Sequence, residues 1–290
     1  MPLTKTPLRY PGGKSQLRPL IRDIFESAAA EFRSYVEPFC GGAGIAMDLL
    51  LSQRVEHVWL NDLDPGIFSF WSAVVEENQR LTEWIDKVDV SVSEWDRQRS
   101  VIAESSQDCG YDFELGAAYF FMSRTNRSGV IKGGMIGGRA QSGKYKLDCR
   151  FNKHNLVRLI QEIGKQKNSI TVSNVDGAAL IRTGLSRELN PSETIVFADP
   201  PYVNKSDGLY LNTFSPEDHS NLCESLRSSP LPYWLATYDD DPLIRNLYRD
   251  FGINSMPIRY SASSRRVERE LLMLSQPLSD NLQRSPIMPG

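Results

Sequence analysis

Cysteine and histidine are scarce in this sequence, which has four and three of them, respectively. The cysteines, Cys40, Cys109, Cys149 and Cys223, form no CxxC pair, and none has a histidine partner at metal-ligand spacing. We therefore expect reduced, mostly buried cysteine side chains and predict no metal site.

Long hydrophobic runs are also missing. No apolar run approaches the ~18 residues that a membrane span needs, and the first residues lack the apolar stretch of a signal peptide. The 290 residues are 40% hydrophobic, which is enough for a substantial core. We expect a soluble, cytoplasmic protein with one core and a sizeable insertion, or with two domains.

Acidic residues are rare in the middle of the chain. Between residues 116 and 170 there are eleven Lys or Arg but only two acids, Asp148 and Glu162. This segment carries a net charge of +9, whereas the rest of the chain sums to −12. Such a block is typical of a polyanion-binding surface, because Lys and Arg make the phosphate contacts. A solvated charged face is the alternative.

Short apolar runs alternate with helical patterns over residues 34–81, and strand patterns return from residue 169 onward. This alternation is typical of βαβ units, so we predict an α/β fold with a doubly wound, mostly parallel sheet. The region between is mainly helical, apart from a basic, loop-like stretch at 126–152. The predicted units are a domain at 1–77 and 169–276, an inserted domain at 78–168, and a flexible, polar tail at 277–290.

Residues 37–44, EPFCGGAG, form a glycine-rich turn between a predicted strand and a predicted helix. Glycines there allow a sharp turn and close approach to a ligand, although a tight connection would look the same. Asp62 follows the next predicted strand, where it could accept hydrogen bonds from ribose hydroxyls or serve as a helix N-cap.

Residues 9–14, RYPGGK, place a second glycine turn between an aromatic ring and a lysine. Tyr10 could stack on an adenine-containing cofactor, and Lys14 could bind a carboxylate. The GxxxxGK spacing of a phosphate-binding loop is missing. An ordinary N-terminal loop is the alternative.

Asp199-Pro200-Pro201-Tyr202 follows the most strand-like run of the chain, residues 195–198. Two prolines remove two amide donors and stiffen the backbone, while their carbonyls remain acceptors. An exocyclic amino group could donate to the Asp199 carboxylate and to the Pro200 carbonyl, with the Tyr202 ring stacked on its base. A rigid turn after a strand is the alternative.

Together, these motifs, with Asn61-Asp62, resemble in sequence and order those of the alpha group of DNA N6-adenine methyltransferases, the Dam-like enzymes. The resemblance covers most of the chain. Residues 120–129 and 143–145 are similar to segments of the family's recognition region, and residues 266–272 to its closing hairpin. One departure is Ser123, where the family commonly has Asn.

The resemblance implies a sheet of the S-adenosylmethionine-dependent methyltransferase type with a closing hairpin, a recognition domain at 78–168, and a metal-free transfer to N6 of a flipped-out adenine. It assigns catalysis to Asp199, Pro200, Pro201 and Tyr202. It assigns S-adenosylmethionine to Tyr10, Gly12, Lys14, Glu37, Phe39, Gly41, Asp62 and Asp199. The candidates for DNA contact are Arg124, Arg127, Lys132, Arg139, Lys144 and Lys146.

Double-stranded DNA is the expected partner, together with a possible cognate restriction endonuclease, and we expect a monomer. Cytosine C5 methylation needs a thiolate nucleophile, and the sequence has no Pro-Cys dipeptide to supply it. Other interpretations remain open at this point: methylation of cytosine N4, methylation of an amino nitrogen of RNA or protein, or an inactive DNA-binding relative.

Overall fold

A computed structural model of the chain describes residues 5–11, 14, 17–27, 30–106, 110–184, 189–203, 214–260 and 266–284. Within these residues, helices and strands alternate at both ends of the chain, with consecutive helices between them. The elements are α1 (Arg18–Ser27), β1 (Ser34–Glu37), α2 (Gly44–Leu51), β2 (His57–Asn61), α3 (Pro65–Glu76), α4 (Asn78–Lys87), α5 (Val92–Glu104), α6 (Phe113–Thr125), α7 (Lys153–Gly164), β3 (Ile170–Ser173), α8 (Gly177–Ala179), β4 (Thr194–Ala198), α9 (Pro216–Arg227), β5 (Tyr233–Asp239), α10 (Pro242–Leu247), β6 (Gly252–Tyr260), β7 (Arg266–Leu274) and α11 (Gln276–Arg284).

The strands form one seven-stranded sheet in the order β3-β2-β1-β4-β5-β7-β6. The first five strands in that order are parallel, and β7 runs antiparallel to both β5 and β6. The predicted α/β class, the doubly wound and mostly parallel sheet, and the closing hairpin are therefore confirmed. The chain moves outward from β1 in one direction and resumes at β4 in the other, so the switch point lies between these two strands. Open α/β sheets bind ligands at the carboxyl ends of such strands.

Burial explains why these runs became strands. Every residue of β4 is buried, as expected for a parallel strand with helices on both faces of the sheet. Its neighbour β1 is buried at three of four positions. The two strands that flank the switch point are therefore held rigidly, which fixes where their carboxyl ends point.

The inserted helices pack closely against the sheet domain. Nearly every side chain of α6 is buried, and residues of the insertion share one hydrophobic cluster with residues of the sheet. Gly66 and Gly116 mark the contact between α3 and α6: a Cβ at Gly66 would lie 2.2 Å from the Tyr119 ring, and one at Gly116 would lie 2.7 Å from the backbone N of Phe70. The division into a catalytic and a recognition domain remains a prediction about their separate roles.

The tail differs from its prediction. Residues 277–284 belong to the helix α11, which begins at Gln276, and its Leu278 is 1% exposed. Burial of this apolar side chain against the core stabilises a helix that the polar composition of the tail did not indicate. Residues 285–290 of the predicted tail lie outside the described residues.

Among the residues that the structure describes, no helix is both long and apolar enough to cross a membrane.

Gly116→Ala should lower the free energy of unfolding by about 1–3 kcal/mol, because the added methyl group would overlap the α3 backbone and force the two helices apart. Urea denaturation measures the difference. Gly134→Ala is the matched control, since a Cβ there meets nothing within 4 Å. Equal stability of the two variants would show that α3 and α6 can separate without cost.

Candidate active site

Lys14 lies at the centre of the site, at the carboxyl ends of β1 and β4. Its Nζ donates a hydrogen bond to the Tyr202 hydroxyl and lies 3.2 Å from Asp199 Oδ1 and 3.5 Å from Glu270 Oε1. Only 8% of Lys14 is exposed. A buried ammonium group is tolerated when opposite charges compensate for its lost hydration, and here two carboxylates do so. The structure thus places Lys14 of the RYPGGK motif against Asp199 and Tyr202 of the DPPY motif.

Asp199 follows β4 and is held from two directions. Thr237 on β5 donates a hydrogen bond to Oδ1 over 2.7 Å, and Lys14 approaches the same oxygen. The Asp199 side chain remains 24% exposed, and no described residue donates a hydrogen bond to its Oδ2. One carboxylate oxygen is therefore fixed, while the other can still accept a hydrogen bond from a ligand.

Tyr202 is more enclosed than the sequence indicated. It is only 3% exposed, and its ring lies 6.5 Å from that of Tyr238, centroid to centroid. The backbone N of Val203 donates to Asp239 Oδ1 over 3.2 Å, which ties down the end of the motif. The Tyr202 ring is thus almost fully buried, with Lys14 Nζ 4.5 Å from its centroid, so a base can stack on it only after the groups that cover it move.

The glycine turn after β1 is closed by Tyr10. Gly41 has a φ of +42°, which a glycine adopts without strain, and a Cβ there would lie 2.8 Å from the Tyr10 ring. The carbonyl of Gly41 accepts a hydrogen bond from Trp71 Nε1 over 2.9 Å. The structure therefore brings Tyr10 onto the turn, whereas Gly12 lies outside the described residues.

Asp62 bridges the two turns that follow β1 and β2. Its Oδ2 accepts from the Gly41 backbone N over 2.8 Å, and its Oδ1 accepts from the Asp64 backbone N over 3.0 Å. The N-cap of α3 is Asp64, whose side chain accepts from the Gly66 backbone N. The N-cap alternative for Asp62 is thereby excluded, and each of its oxygens retains a second lone pair for a ligand.

Burial raises the pKa of three carboxyl groups around these turns. It raises the pKa of Glu37 to about 8, that of Asp62 to about 7 and that of Asp64 to about 6. Backbone N–H donors oppose the effect, such as that of Ala46, which lies 3.1 Å from Glu37 Oε1. Such raised values are typical of sites that hold ligands away from water.

Several residues of the site escaped sequence reasoning. Glu270 and Thr237 lie on the last strands, far from the other motifs in sequence, and no local pattern distinguished them. Leu63 and Val175 are exposed by 46% and 43% beside Asp62, just after β2 and β3. The sequence signal that could have identified Leu63 and Val175 is a large apolar residue just after a predicted strand. The predicted cofactor residue Phe39 packs nearby, where a Cβ at Gly177 would lie 2.7 Å from its ring.

Arg124 must be corrected as a candidate for DNA contact. It is only 9% exposed, and its guanidinium donates to the backbone carbonyls of Pro7 and Thr6. Its helical position in α6 turns the side chain toward the interior, which the basic character of the segment could not show. Ser123 beside it is also buried and donates to the Phe120 carbonyl over 2.8 Å.

The other five basic candidates are exposed on the segment 127–146. Gln141 holds its second half together: its Nε2 donates to the Ile136 carbonyl over 2.8 Å, and its Oε1 accepts from the Leu147 backbone N. Arg139 already forms a two-pronged ion pair with Asp96. The segment thus presents cations to solvent from an ordered loop; they are Arg127, Lys132, Arg139, Lys144 and Lys146.

Glu37→Gln should become progressively more stable relative to the unsubstituted protein as pH rises from about 5 to 8. The pKa of Glu37 is raised in the folded state, so folding becomes less favourable as this group ionises, and the Gln variant does not pay that cost. Urea denaturation at pH 5, 7 and 8.5 measures the trend. Glu104→Gln, at an exposed position, should show none. A pH-independent difference for Glu37→Gln would contradict the burial of an ionisable carboxyl there.

The chain is 23% identical over 237 residues to the type II methyltransferase M.MjaIII of Methanocaldococcus jannaschii, covering 76% of this chain and 78% of that protein. Among solved structures, it is similar to the rRNA methyltransferase AviRa of Streptomyces viridochromogenes at 13% identity and a TM-score of 0.42, over 96% of this chain and 90% of that one. At that TM-score, the fold assignment rests on the strand order described above.

The family comparison covers most of the chain. The sequence model of the D12 class N6 adenine-specific DNA methyltransferases matches residues 10–261. This range runs from Tyr10 through the glycine turn and the DPPY motif into the closing hairpin. The chain therefore belongs to the D12 class of N6 adenine-specific DNA methyltransferases.

Proposed function

We propose that this protein transfers the methyl group of S-adenosylmethionine to N6 of an adenine that is flipped out of duplex DNA. The observation that carries the proposal is the arrangement of Asp199, which is held by Lys14 and Thr237 at the switch point of the sheet and keeps one oxygen open. A fixed carboxylate whose second oxygen receives no hydrogen bond from a described residue suits an exocyclic amino group, which needs an acceptor.

The pocket around the glycine turn fits S-adenosylmethionine. Leu63 and Val175 present apolar surface for an adenine ring, and Asp62 offers acceptor lone pairs for ribose hydroxyls. Tyr10 and Phe39 supply aromatic surface, and this chemistry matches the parts of the molecule. The proposed cofactor residues are Tyr10, Gly12, Lys14, Glu37, Phe39, Gly41, Asp62, Leu63, Val175 and Asp199.

When bound, S-adenosylmethionine would supply an electrophilic methyl group on a sulfonium sulfur. As N6 forms its bond to the methyl carbon, the methyl–sulfur bond would break, S-adenosylhomocysteine would leave, and N6 would release one proton. Asp199 and the carbonyl of Pro200 accept the two N–H bonds of the amino group and favour the tetrahedral geometry in which the nitrogen is nucleophilic. Lys14 and Thr237 prevent the Asp199 carboxylate from turning away. Because the acceptors are held in place before the reaction, little reorganisation is needed as charge develops.

Adenine N6 is paired inside a duplex, so the base must leave the helix to reach Asp199. Flipping costs a few kcal/mol, which stacking on an aromatic ring offsets in part, and Tyr202 is the proposed ring. The cations of segment 127–146 would contact DNA phosphates or bases. We further propose that the enzyme acts as a monomer, with a restriction endonuclease as a possible functional partner.

Asp199→Ala should abolish the formation of N6-methyladenine, because N6 loses its fixed acceptor. Purified protein is incubated with duplex DNA and labelled S-adenosylmethionine, and the digested nucleosides are separated by chromatography. Asp240→Ala is the matched control: this carboxylate pairs with Arg245 at the surface, so labelling should be unchanged. Label in the Asp199→Ala product would contradict the assignment.

The same assay separates the alternatives. Label in N4-methylcytosine would retain the mechanism but change the base. Label only in RNA or protein, offered in parallel, would change the substrate class. A protein that binds DNA, but neither binds S-adenosylmethionine nor transfers a methyl group, would be an inactive relative.

Methylation should be faster at a target adenine placed opposite a mismatched base, because less pairing and stacking energy is lost on flipping. Single-turnover rates on matched and mismatched duplexes carrying the mapped site measure the effect. We expect an acceleration of up to about tenfold, which corresponds to a flipping cost that is about 1.4 kcal/mol lower at the mismatch. Equal rates would show that flipping does not contribute to the measured step.

A further inference from the structure

The N-terminal residues 6–10, here called the strap, lie between the glycine turn and the inserted helices. One face of the strap contacts the turn. The Thr6 hydroxyl donates a hydrogen bond to the Gly42 carbonyl, and the Tyr10 ring packs where a Cβ at Gly41 would lie. The position of the strap therefore determines the position of a proposed cofactor-binding ring.

The other face of the strap is held by Arg124 of α6. Its Nε donates to the Pro7 carbonyl over 2.6 Å, and its Nη2 donates to the same carbonyl and, over 3.4 Å, to that of Thr6. From the strap itself, Arg9 Nη1 donates to the Asn126 carbonyl over 3.4 Å. Two arginines thus link the strap to the end of α6 in both directions.

Arg124 is an unusual way to make this link, because its cation is buried without an acidic partner among the described residues. Burial lowers its pKa to about 9, and the nearby charges of Arg9 and Arg150 act in the same direction. Burying a cation in this way is costly unless its hydrogen bonds are satisfied. All the hydrogen bonds described for this guanidinium go to the strap.

A second contact is independent of charge. Gly129, at the start of segment 127–146, has a φ of +76°, and a Cβ there would lie only 2.4 Å from the Arg9 carbonyl oxygen. The root of the basic segment is therefore packed directly against the strap. A larger residue at this position would push the strap toward the glycine turn.

We propose that Arg124 is a positioning residue for the proposed cofactor site: it fixes the strap, and with it the Tyr10 ring, in the position that S-adenosylmethionine requires. The inference rests on the proposed function. It gives Arg124 a role in binding the cofactor rather than DNA, and it makes the strap the physical connection between the inserted helices and the site.

The test measures the Kd for S-adenosylmethionine by calorimetry, without DNA, on the full chain. Arg124→Met and Gly129→Ala should each weaken binding about tenfold, because the first removes charge-assisted hydrogen bonds to the strap and the second adds a Cβ that displaces it. Arg124→Lys keeps the charge but loses the paired donors. Its Kd should therefore lie between that of the unsubstituted protein and that of Arg124→Met. The controls are Arg158→Met, at an exposed arginine of α7, and Gly134→Ala, where a Cβ has free space; both should bind normally.

Two further measurements distinguish positioning from a general structural role. At saturating S-adenosylmethionine, kcat of Arg124→Lys should stay within a few-fold of that of the unsubstituted protein, while KM for the cofactor rises. The effects of Arg124→Lys and Tyr10→Ala on cofactor Kd should also be non-additive, because both act through the strap. Additive effects would overturn the proposed route.

The outcomes are separable. If the unsubstituted protein fails to bind S-adenosylmethionine, the proposed function falls and this inference falls with it. If it binds, but Arg124→Lys and Gly129→Ala bind within twofold of it, only the inference falls. The inference is also overturned if Arg124→Met, which removes the charge, lowers DNA affinity and the salt dependence of DNA binding in the absence of cofactor, as loss of a phosphate contact would. Should Arg124→Met not fold, the other two variants decide.

Discussion

The buried ammonium group of Lys14 is the interaction on which the site depends. It draws together the DPPY motif, through Asp199 and the Tyr202 hydroxyl, and Glu270 of β7. Both segments are far from Lys14 and from each other in sequence. A desolvated cation is strongly destabilising without compensating charge. The Lys14 ammonium group can therefore be buried only while these segments are held together around it. The same contacts that satisfy the lysine leave Asp199 fixed with one oxygen open, and this is the geometry that acceptance from an amino group requires.

A second set of contacts builds the proposed cofactor site around the glycine turn. Asp62 binds the backbone N of Gly41, Trp71 binds its carbonyl, and the Tyr10 ring covers it. Each partner comes from a different part of the chain, so the protein itself holds the turn from three sides. Pre-organisation of this kind reduces the ordering cost of binding, and it explains why the N-terminal strap matters to a site made mainly by the sheet.

The sequence predicted those features that depend on the conformational preferences of a few neighbouring residues. Gly41 permits, and the prolines of the DPPY motif restrict, backbone conformations by themselves. The apolar run 195–198 within β4 indicated a buried strand. The predictions of a flexible tail and of a DNA contact for Arg124 differ from the structure for the same reason. Both rested on polar composition, whereas packing determines whether these residues are ordered and buried. The helix α11 forms because Leu278 is buried, and Arg124 faces inward because of its angular position on α6. Composition gives the number of charged side chains but does not show which of them face the protein interior on a helix.

The sequence by itself determined the α/β class, the order of the motifs and the family, because glycine turns, proline pairs and apolar strands leave patterns within a few residues. Only the tertiary structure decided that Glu270 and Thr237 join Lys14 and Asp199, and that Asp64 rather than Asp62 caps α3. The physical reason is that side-chain contacts across a sheet depend on strand order and register. The antiparallel pairing that sets Glu270 opposite Asp239 leaves no trace in the residues next to either of them.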